Sequence, residues 1–179
     1  MNKLILDLCG GTGAWSKPYF KAGYDVINVT LPEYDVCEFN PPDGVYGILA
    51  APPCPMFSFC RTKAKKPRDT REAFNIVLGC LRIIWECQHR IERDIQKKPP
   101  LAFWALENPK GMLNWFLGHP VLEFNPYDYG DNYKKRTCLW GYFNMPKKSP
   151  IVCNKPKFDR LRTKEIHGEY SLPPGLEGS

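Results

Sequence analysis

The sequence predicts an α/β protein with a mainly parallel sheet and helices on both of its faces. Two observations support this fold class. Short apolar runs that end at Gly or Pro recur along the chain, and segments with the spacing of amphipathic helices separate them. Strands that alternate with helices usually pair in parallel, since each crossover returns the chain to the same edge of the sheet. At 179 residues, with 43% hydrophobic and 25% charged, the chain has the size and composition of an ordinary globular domain.

The amino-terminal part of the chain supplies strands that end in glycine-rich or proline-rich turns. A strand over 4–8 precedes a helix over 14–22, because the glycines between them break the strand. A second strand over 24–29 follows, with a short further strand within 34–39 and a buried strand over 46–51. These elements predict a sheet whose strands end near one another.

A basic segment over 61–71 separates this part from a long helix and is predicted to be a loop. The helix is predicted over 70–95, because Phe74, Val77 and Leu81 belong to a series of apolar residues at helical spacing. Beyond the helix we predict a strand, a short helix and two β-like runs, over 101–106, 111–117, 121–124 and 137–143.

The bulk properties restrict the class of protein. We divide the chain into a folded domain over 1–143 and a tail over 144–179 that is rich in Pro, Lys and Gly. The net charge of +6 permits a polyanionic partner without requiring one. Eight cysteines occur without a Cys-x-x-Cys pair, and the three histidines lie far apart, so we predict no metal site. With no signal-peptide layout and no apolar run of membrane-spanning length, we expect a cytoplasmic protein with free thiols and no membrane partner.

Cys54 is the candidate nucleophile. It follows the predicted strand over 46–51, directly after Pro52 and Pro53. These prolines end the strand, because proline cannot donate a ladder hydrogen bond. Open α/β sheets bind ligands at the carboxyl ends of their strands, and a thiol held there can act as a nucleophile. The alternative is a small buried cysteine of the core.

A glycine-rich segment, Asp7-Leu-Cys-Gly-Gly-Thr-Gly13, joins the first strand to the first helix. Glycines at such a turn let a nucleotide-like ligand approach the backbone closely. The segment is not the Gly-x-Gly-x-x-Gly fingerprint of dinucleotide enzymes, which argues against a nicotinamide cofactor. A tight structural turn is the alternative interpretation.

Polar residues mark four strand ends, and a fifth, charged segment lies further along the chain. The segments are Asp7 to Gly13, Tyr34 to Cys37, Pro52 to Cys54, Glu107 to Pro109, and Asn125 to Trp140.

Together and in this order, these segments resemble the sequence blocks of the cytosine-C5 DNA methyltransferase family. They are most similar to a compact phage or prophage branch of that family, and the resemblance covers about 4–143. It implies a Rossmann-like S-adenosylmethionine-dependent methyltransferase fold with an antiparallel strand near its carboxyl-terminal end. It also implies that 1–143 is a catalytic domain, which in a phage-encoded protein would act in the bacterial host cytoplasm.

The resemblance implies S-adenosylmethionine as cofactor. The first block would hold this cofactor, and the acidic segment would contact its adenine. The residues implied to bind the cofactor are Asp7, Cys9, Gly10, Gly11, Gly13, Asp35, Val36 and Pro52.

The resemblance also implies catalytic roles for three residues. The Cys54 thiolate would attack carbon 6 of cytosine, because this makes the otherwise unreactive carbon 5 nucleophilic. Glu107 would protonate or hydrogen-bond the ring nitrogen N3. Arg136 would bind the cytosine O2. Alternatively, Glu107 caps the helix after Pro109, and Arg136 lies on a solvated strand face.

Duplex DNA with a cytosine flipped out of the stack is the implied partner. The basic loop over 61–71 would bind phosphates, unless it is simply a solvated loop. We interpret Asn108 as orienting either the Pro52-Pro53 turn or Glu107. The residues assigned to the substrate are Ser58, Arg61, Lys63, Lys65, Asn108 and Lys134, with Lys66, Arg68 and Arg71 adding charge to the loop.

Three features depart from the family pattern. The second strand runs into Thr30-Leu31-Pro32, where the family places an acidic residue for the ribose hydroxyls, and Glu33 is the available substitute. The residues after Phe143 are too few for the family's target-recognition domain, and the closing Gly-Asn-Ser block is not found. We therefore expect weak sequence specificity, or specificity supplied by a separate subunit.

Two other functions are compatible with the same residues. One is a catalytically inactive module that keeps a nucleotide pocket and a basic surface. The other keeps the chemistry but methylates a pyrimidine in RNA or in a free nucleotide.

Overall fold

The computed structural model describes residues 2–61, 64–89, 101–131 and 134–148. Within these residues, six strands form one mixed sheet in the order β2-β1-β3-β4-β6-β5. The strands are β1 (Leu4–Leu8), β2 (Asp25–Val29), β3 (Val45–Ala50), β4 (Phe103–Pro109), β5 (Leu122–Phe124) and β6 (Thr137–Tyr142). The helices are α1 (Lys17–Lys21), α2 (Thr70–His89) and α3 (Asn114–Leu117), with a 3₁₀ helix over Pro126–Tyr129.

The sheet is mostly parallel. β1 pairs in parallel with β2 and β3, and β3 pairs in parallel with β4. β6 runs in the opposite direction, because its pairings with β4 and β5 are both antiparallel. The predicted α/β class, the mainly parallel sheet and an antiparallel strand towards the carboxyl-terminal end are confirmed.

The main core lies between the sheet and α2. Leu6, Ile48 and Leu106 of the central strands are fully buried against Val77 and Ile83 of the helix. Because side chains alternate along a strand, neighbouring positions face the other side of the sheet. There Tyr19 of α1 stacks on Phe103 of β4, with 5.6 Å between ring centroids. Helices therefore contact both faces.

Two predicted boundaries and one predicted strand were wrong. The first helix begins at Lys17 rather than at residue 14, because residues 11–16 form turns, including a Gly13 N–H to Gly10 carbonyl hydrogen bond of 2.8 Å. Residues 34–39 contain turns rather than a strand. β4 continues through Pro109 instead of ending at residue 106, since β6 pairs with its last residues.

The remaining elements agree with prediction to within a few residues, and the predicted short helix over 111–117 begins at Asn114. The last part of the predicted long helix, 90–95, and most of the predicted tail lie outside the described residues. In the described part of the chain, no helix combines the length and apolarity needed to cross a membrane.

Candidate active site

The carboxyl ends of β1, β3 and β4 meet at one edge of the sheet, because these strands are parallel. The register pairs Ala50 with both Leu8 and Leu106. The glycine-rich turn, the Pro52-Pro53 turn and Glu107 come after these three aligned residues and therefore lie at a similar level of the sheet. β6 begins at this edge, which brings the residues before Thr137 to the same place.

The turn that carries Cys54 is fixed by Asn108. The Asn108 side chain is fully buried, and its Nδ2 donates a 2.9 Å hydrogen bond to the Pro52 carbonyl. The chain then folds back, because the Phe57 and Ser58 N–H groups both donate to the Cys54 carbonyl at 3.0 Å. This bond is the one required by the interpretation that Asn108 orients the proline turn.

Arg68 holds the loop after Cys54. Its Nη1 donates to the Met56 carbonyl at 2.6 Å, and its Nη2 donates to the Ser58 carbonyl at 2.8 Å. Ser58 also forms a β-bridge with Gly111, and its hydroxyl accepts the Cys60 N–H at 3.1 Å. Arg68 and Ser58 thus shape the loop, and their contact with DNA stays a prediction.

The basic residues of this loop differ in exposure. Arg61 is half-buried, whereas Lys65, Lys66 and Arg71 are exposed and can reach a ligand. Lys63 lies outside the described residues.

Cys54, Glu107 and Lys135 form the electrostatic centre of the site. Burial raises the pKa of the Cys54 thiol, Lys135 opposes this shift, and the charge of Glu107 adds to it. Burial also raises the pKa of the Glu107 carboxyl, and Lys135 again acts in the opposite direction. The thiol and the carboxyl therefore both hold their protons to a higher pH than exposed groups of the same kind, and Lys135 acts on both from its exposed position.

Lys135 was missed by the sequence analysis, which selected its two neighbours. Lys135, which directly precedes β6, acts electrostatically on both Cys54 and Glu107. The guanidinium of the adjacent Arg136 instead forms an ion pair with Glu123.

The other predicted basic residue, Lys134, also has a local contact. Its Nζ lies 5.4 Å from the centroid of the Tyr127 ring. Glu123, the partner of Arg136, also binds the Lys110 Nζ at 2.9 Å. Arg136 and Lys134 are thus engaged on the β5 and 3₁₀ side, whereas Lys135 acts on Cys54.

The glycine-rich turn contains buried acceptors without donors. Asp7 is fully buried, and among the described residues neither of its carboxylate oxygens, nor Asn28 Oδ1, has a hydrogen-bond partner. Burial raises the pKa of Asp7, and Ser16 opposes the shift. Gly10 packs so tightly here that an added Cβ would overlap both the Asp7 carboxylate and Asn28 Oδ1. The turn therefore holds buried acceptors: Ser16 is the described donor close enough to lower the pKa of Asp7, and Asn28 Oδ1 has no hydrogen-bond partner among the described residues.

The backbone of this turn is unusual. Cys9 and Gly11 have φ values of 57° and 52°, and Gly13 has a φ of 70°. Asn28 Nδ2 holds the turn by donating to the Gly11 carbonyl at 2.9 Å. Cys9 Sγ lies 3.9 Å from Cys80 Sγ, and this contact lowers the pKa of Cys9.

The acidic segment borders the same turn. Asp35 is exposed and lies close enough to Cys9 to act on its pKa electrostatically. One Asp35 oxygen accepts the Cys37 N–H at 2.8 Å. The Val36 side chain is buried in the core, and the Val36 carbonyl accepts a bond from Arg82. Of the two residues predicted to contact a cofactor here, Asp35 is the one whose side chain reaches the surface.

No group of three or more His, Cys, Asp or Glu residues in the described ranges is arranged to hold a metal ion. No protein-family model matches the chain, and the comparison with curated proteins found no significant match.

Proposed function

We propose that this protein transfers a methyl group from S-adenosylmethionine to carbon 5 of cytosine in DNA through a covalent intermediate on Cys54. The observation that carries the proposal is the grouping of Cys54, Glu107 and Lys135 at the carboxyl edge of the sheet, beside a turn with unpaired buried acceptors. The sheet order, with β6 inserted antiparallel between β4 and β5, supports a methyltransferase-like catalytic domain.

Cys54 acts as the nucleophile in this proposal. Its thiolate forms a bond to carbon 6, and the electrons of the carbon 5–carbon 6 double bond move to carbon 5. The Pro52 turn and Asn108 keep the sulfur in place during this step. After methylation, N3 returns its proton to the Glu107 carboxylate, a water molecule takes the carbon 5 proton, and the sulfur departs as a thiolate, which restores the double bond.

Glu107 and Lys135 stabilise the charge that develops on the ring. Because burial raises the pKa of Glu107, its carboxyl holds a proton to a higher pH than an exposed glutamate does, and it donates this proton to N3. Lys135 supplies a positive charge for the cytosine O2, the role that the sequence analysis gave to Arg136. Arg136 is paired with Glu123 and supports the β5–β6 region instead.

The cofactor turn fits S-adenosylmethionine through its acceptors. The Asp7 carboxylate oxygens and Asn28 Oδ1 form no hydrogen bond of normal geometry within the described residues, and an ammonium group can donate one to them once the turn admits it. The backbone is open at Gly11, where nothing lies within 4 Å of an added Cβ, and Asp35 is available at the border of the turn. When bound, the cofactor supplies an electrophilic methyl group that carbon 5 can accept.

Trapping with 5-fluorocytosine tests the proposal. Fluorine at carbon 5 cannot leave as a proton does, so the enzyme should stay joined to the oligonucleotide. With S-adenosylmethionine present, we expect a denaturation-resistant adduct by intact mass, mapped to Cys54 and missing in Cys54→Ser. Cys60→Ser, which changes an exposed cysteine of the same loop, should still form it.

An RNA strand and a free nucleotide carrying the same fluorinated base serve as competing substrates. No adduct with any of them, despite measurable S-adenosylmethionine binding, would contradict the proposed function. A preference for RNA or the nucleotide would contradict only the assignment of DNA.

A further inference from the structure

Three large aromatic side chains project from the surface beside the loop that carries Cys54. Phe59, Trp115 and Phe116, here called the aromatic ledge, keep 49%, 68% and 56% of their surface exposed. The Phe59 and Trp115 rings lie 5.7 Å apart between centroids. Exposed aromatic groups of this size usually mark a binding surface.

The ledge is anchored to the core. Phe116 packs edge-on against Phe74 at 4.4 Å, and Phe74 packs against the fully buried Phe57 at 5.1 Å. The Met112 N–H donates to the Phe57 carbonyl at 2.8 Å, which ties the segment before α3 to the Cys54 loop. A fixed aromatic surface loses little conformational entropy when a flat ligand stacks on it.

The ledge lies at the same edge of the sheet as the proposed active site. Phe59 is five residues after Cys54, and α3 closely follows the end of β4. The β-bridge between Ser58 and Gly111 joins these two segments. The ledge therefore lies on the two segments that directly follow Cys54 and Glu107.

The charge around the ledge favours a polyanion. The sequence contains no acidic residue from Pro55 to Arg68 or from Lys110 to Leu122, the two segments that carry the ledge. Lys65 and Lys66 are exposed, and Arg61 is half-buried, immediately beyond Phe59. Aromatic faces next to cations are the usual means of holding unstacked nucleotides, since every base has a face that can stack.

We propose that the aromatic ledge stacks on a base adjacent to the reacting cytosine and that this surface binds single-stranded or locally unpaired DNA. The proposal rests on the proposed function, because it places the reacting base at Cys54. It adds a preference for nucleotides whose neighbours are already unstacked. The ledge contributes stacking, and the lysines contribute phosphate contacts.

Fluorescence anisotropy with a labelled, cytosine-containing single-stranded oligodeoxynucleotide tests the ledge. Trp115→Ala should weaken binding by about 5- to 100-fold, and Trp115→Phe should restore most of the affinity. The salt dependence should stay unchanged in both, because stacking releases no counterions. Lys65→Ala should instead make the affinity less dependent on salt, by the amount expected for the loss of about one phosphate contact.

Trp85→Ala is the matched control. Trp85 is 63% exposed, but it lies in the second half of α2, about 16 Å along the helix from Phe74. This variant should bind like the wild type. Phe59→Ala provides a second test of the ledge, with an expected loss in the same direction, in case Trp115→Ala does not fold.

Equal affinities of Trp115→Ala, Phe59→Ala and the wild type would overturn the proposal. A wild type that does not bind the single-stranded oligonucleotide would also overturn it. So would a ledge variant that changes the sedimentation coefficient but not the DNA affinity, because the ledge would then be a protein interface. The 5-fluorocytosine adduct is scored separately with saturating duplex DNA. If the adduct forms but the ledge variants bind DNA as tightly as the wild type, the proposed function stands and only the role of the ledge is rejected.

Discussion

Asn108 of β4 donates a 2.9 Å hydrogen bond to the Pro52 carbonyl and thereby joins one strand of the sheet to the turn that presents Cys54. Both groups are buried, so neither can exchange this partner for water. The position of the thiol therefore depends on a residue adjacent in sequence to the proposed acid, Glu107.

Replacing Asn108 by Ala should lower both stability and reactivity. The change leaves the Pro52 carbonyl buried without its donor, which costs about 1–3 kcal/mol in the free energy of unfolding. Urea denaturation measures this loss, and the rate of 5-fluorocytosine adduct formation measures the effect on Cys54. Asn2→Ala, which removes an exposed hydrogen bond to Asp25, should change neither.

Cys54 should become more reactive as the pH rises above neutrality. Burial raises the pKa of the thiol, so the thiolate fraction increases about tenfold per pH unit until that pKa is reached. Iodoacetamide labelling of Cys54, followed by peptide mapping, gives the profile. Lys135→Gln should move it to higher pH, because the lysine lowers the pKa of Cys54.

Lys134→Gln is the control for that profile, since Lys134 lies over the Tyr127 ring. An equal shift in both lysine variants would show that general surface charge, rather than the position of Lys135, controls the thiol.

Asp7→Asn should stabilise the free protein and weaken cofactor binding. The pKa of Asp7 is raised in the folded state. Stability is therefore lost as the pH rises from the pKa of Asp7 in the unfolded chain towards its pKa in the folded protein. The variant should therefore unfold at a higher temperature than the wild type at neutral pH, and at a similar temperature in acid, where Asp7 is protonated. Thermal unfolding at both pH values measures this difference.

The same variant should bind S-adenosylhomocysteine about 10- to 100-fold more weakly by calorimetry, because a hydrogen bond to a charged group is lost. Asp25→Asn, at an exposed position, is the matched control. Unchanged affinity in Asp7→Asn would contradict the role given to the glycine-rich turn.

Arg68→Ala should loosen the Cys54 loop without changing the number of phosphate contacts. Arg68 satisfies the Met56 and Ser58 carbonyls, so its loss should increase protease cleavage within the loop and slow adduct formation. The salt dependence of DNA binding should stay as in the wild type. Arg71→Ala should instead reduce the salt dependence of DNA binding and leave protease cleavage of the loop unchanged. A reduced salt dependence in Arg68→Ala would mean that the Arg68 guanidinium binds phosphate.

The sheet could be predicted from sequence because its central strands are short, apolar and bounded by Gly or Pro. Leu6, Ile48 and Leu106 all belong to such runs. The end of β4 could not be predicted, because its last residues are polar or proline and become strand only through pairing with β6. Residues 34–39 were predicted to contain a short strand. They form turns instead, and Asp35 accepts the Cys37 N–H within them.

Site residues could be predicted where a reactive side chain lies next to the end of a predicted strand. Cys54 and Glu107 could be chosen on this basis, and the structure brings them within electrostatic range. Lys135 could not be separated from Lys134 and Arg136, because three consecutive basic residues carry no alternation. The electrostatic effect on the pKa of Cys54 identifies Lys135 among them.

β5 precedes β6 in the chain, yet among the described strands it pairs with the sheet only through β6. A ribosome-bound chain that has emerged as far as β5 therefore has no place to dock that strand, and it also lacks Lys135 at the active edge. The docking of β6 completes the sheet and supplies the cation in one event. During synthesis, the Cys54 thiol thus lacks the positive charge of Lys135 until the last strand of the described sheet is about to be made.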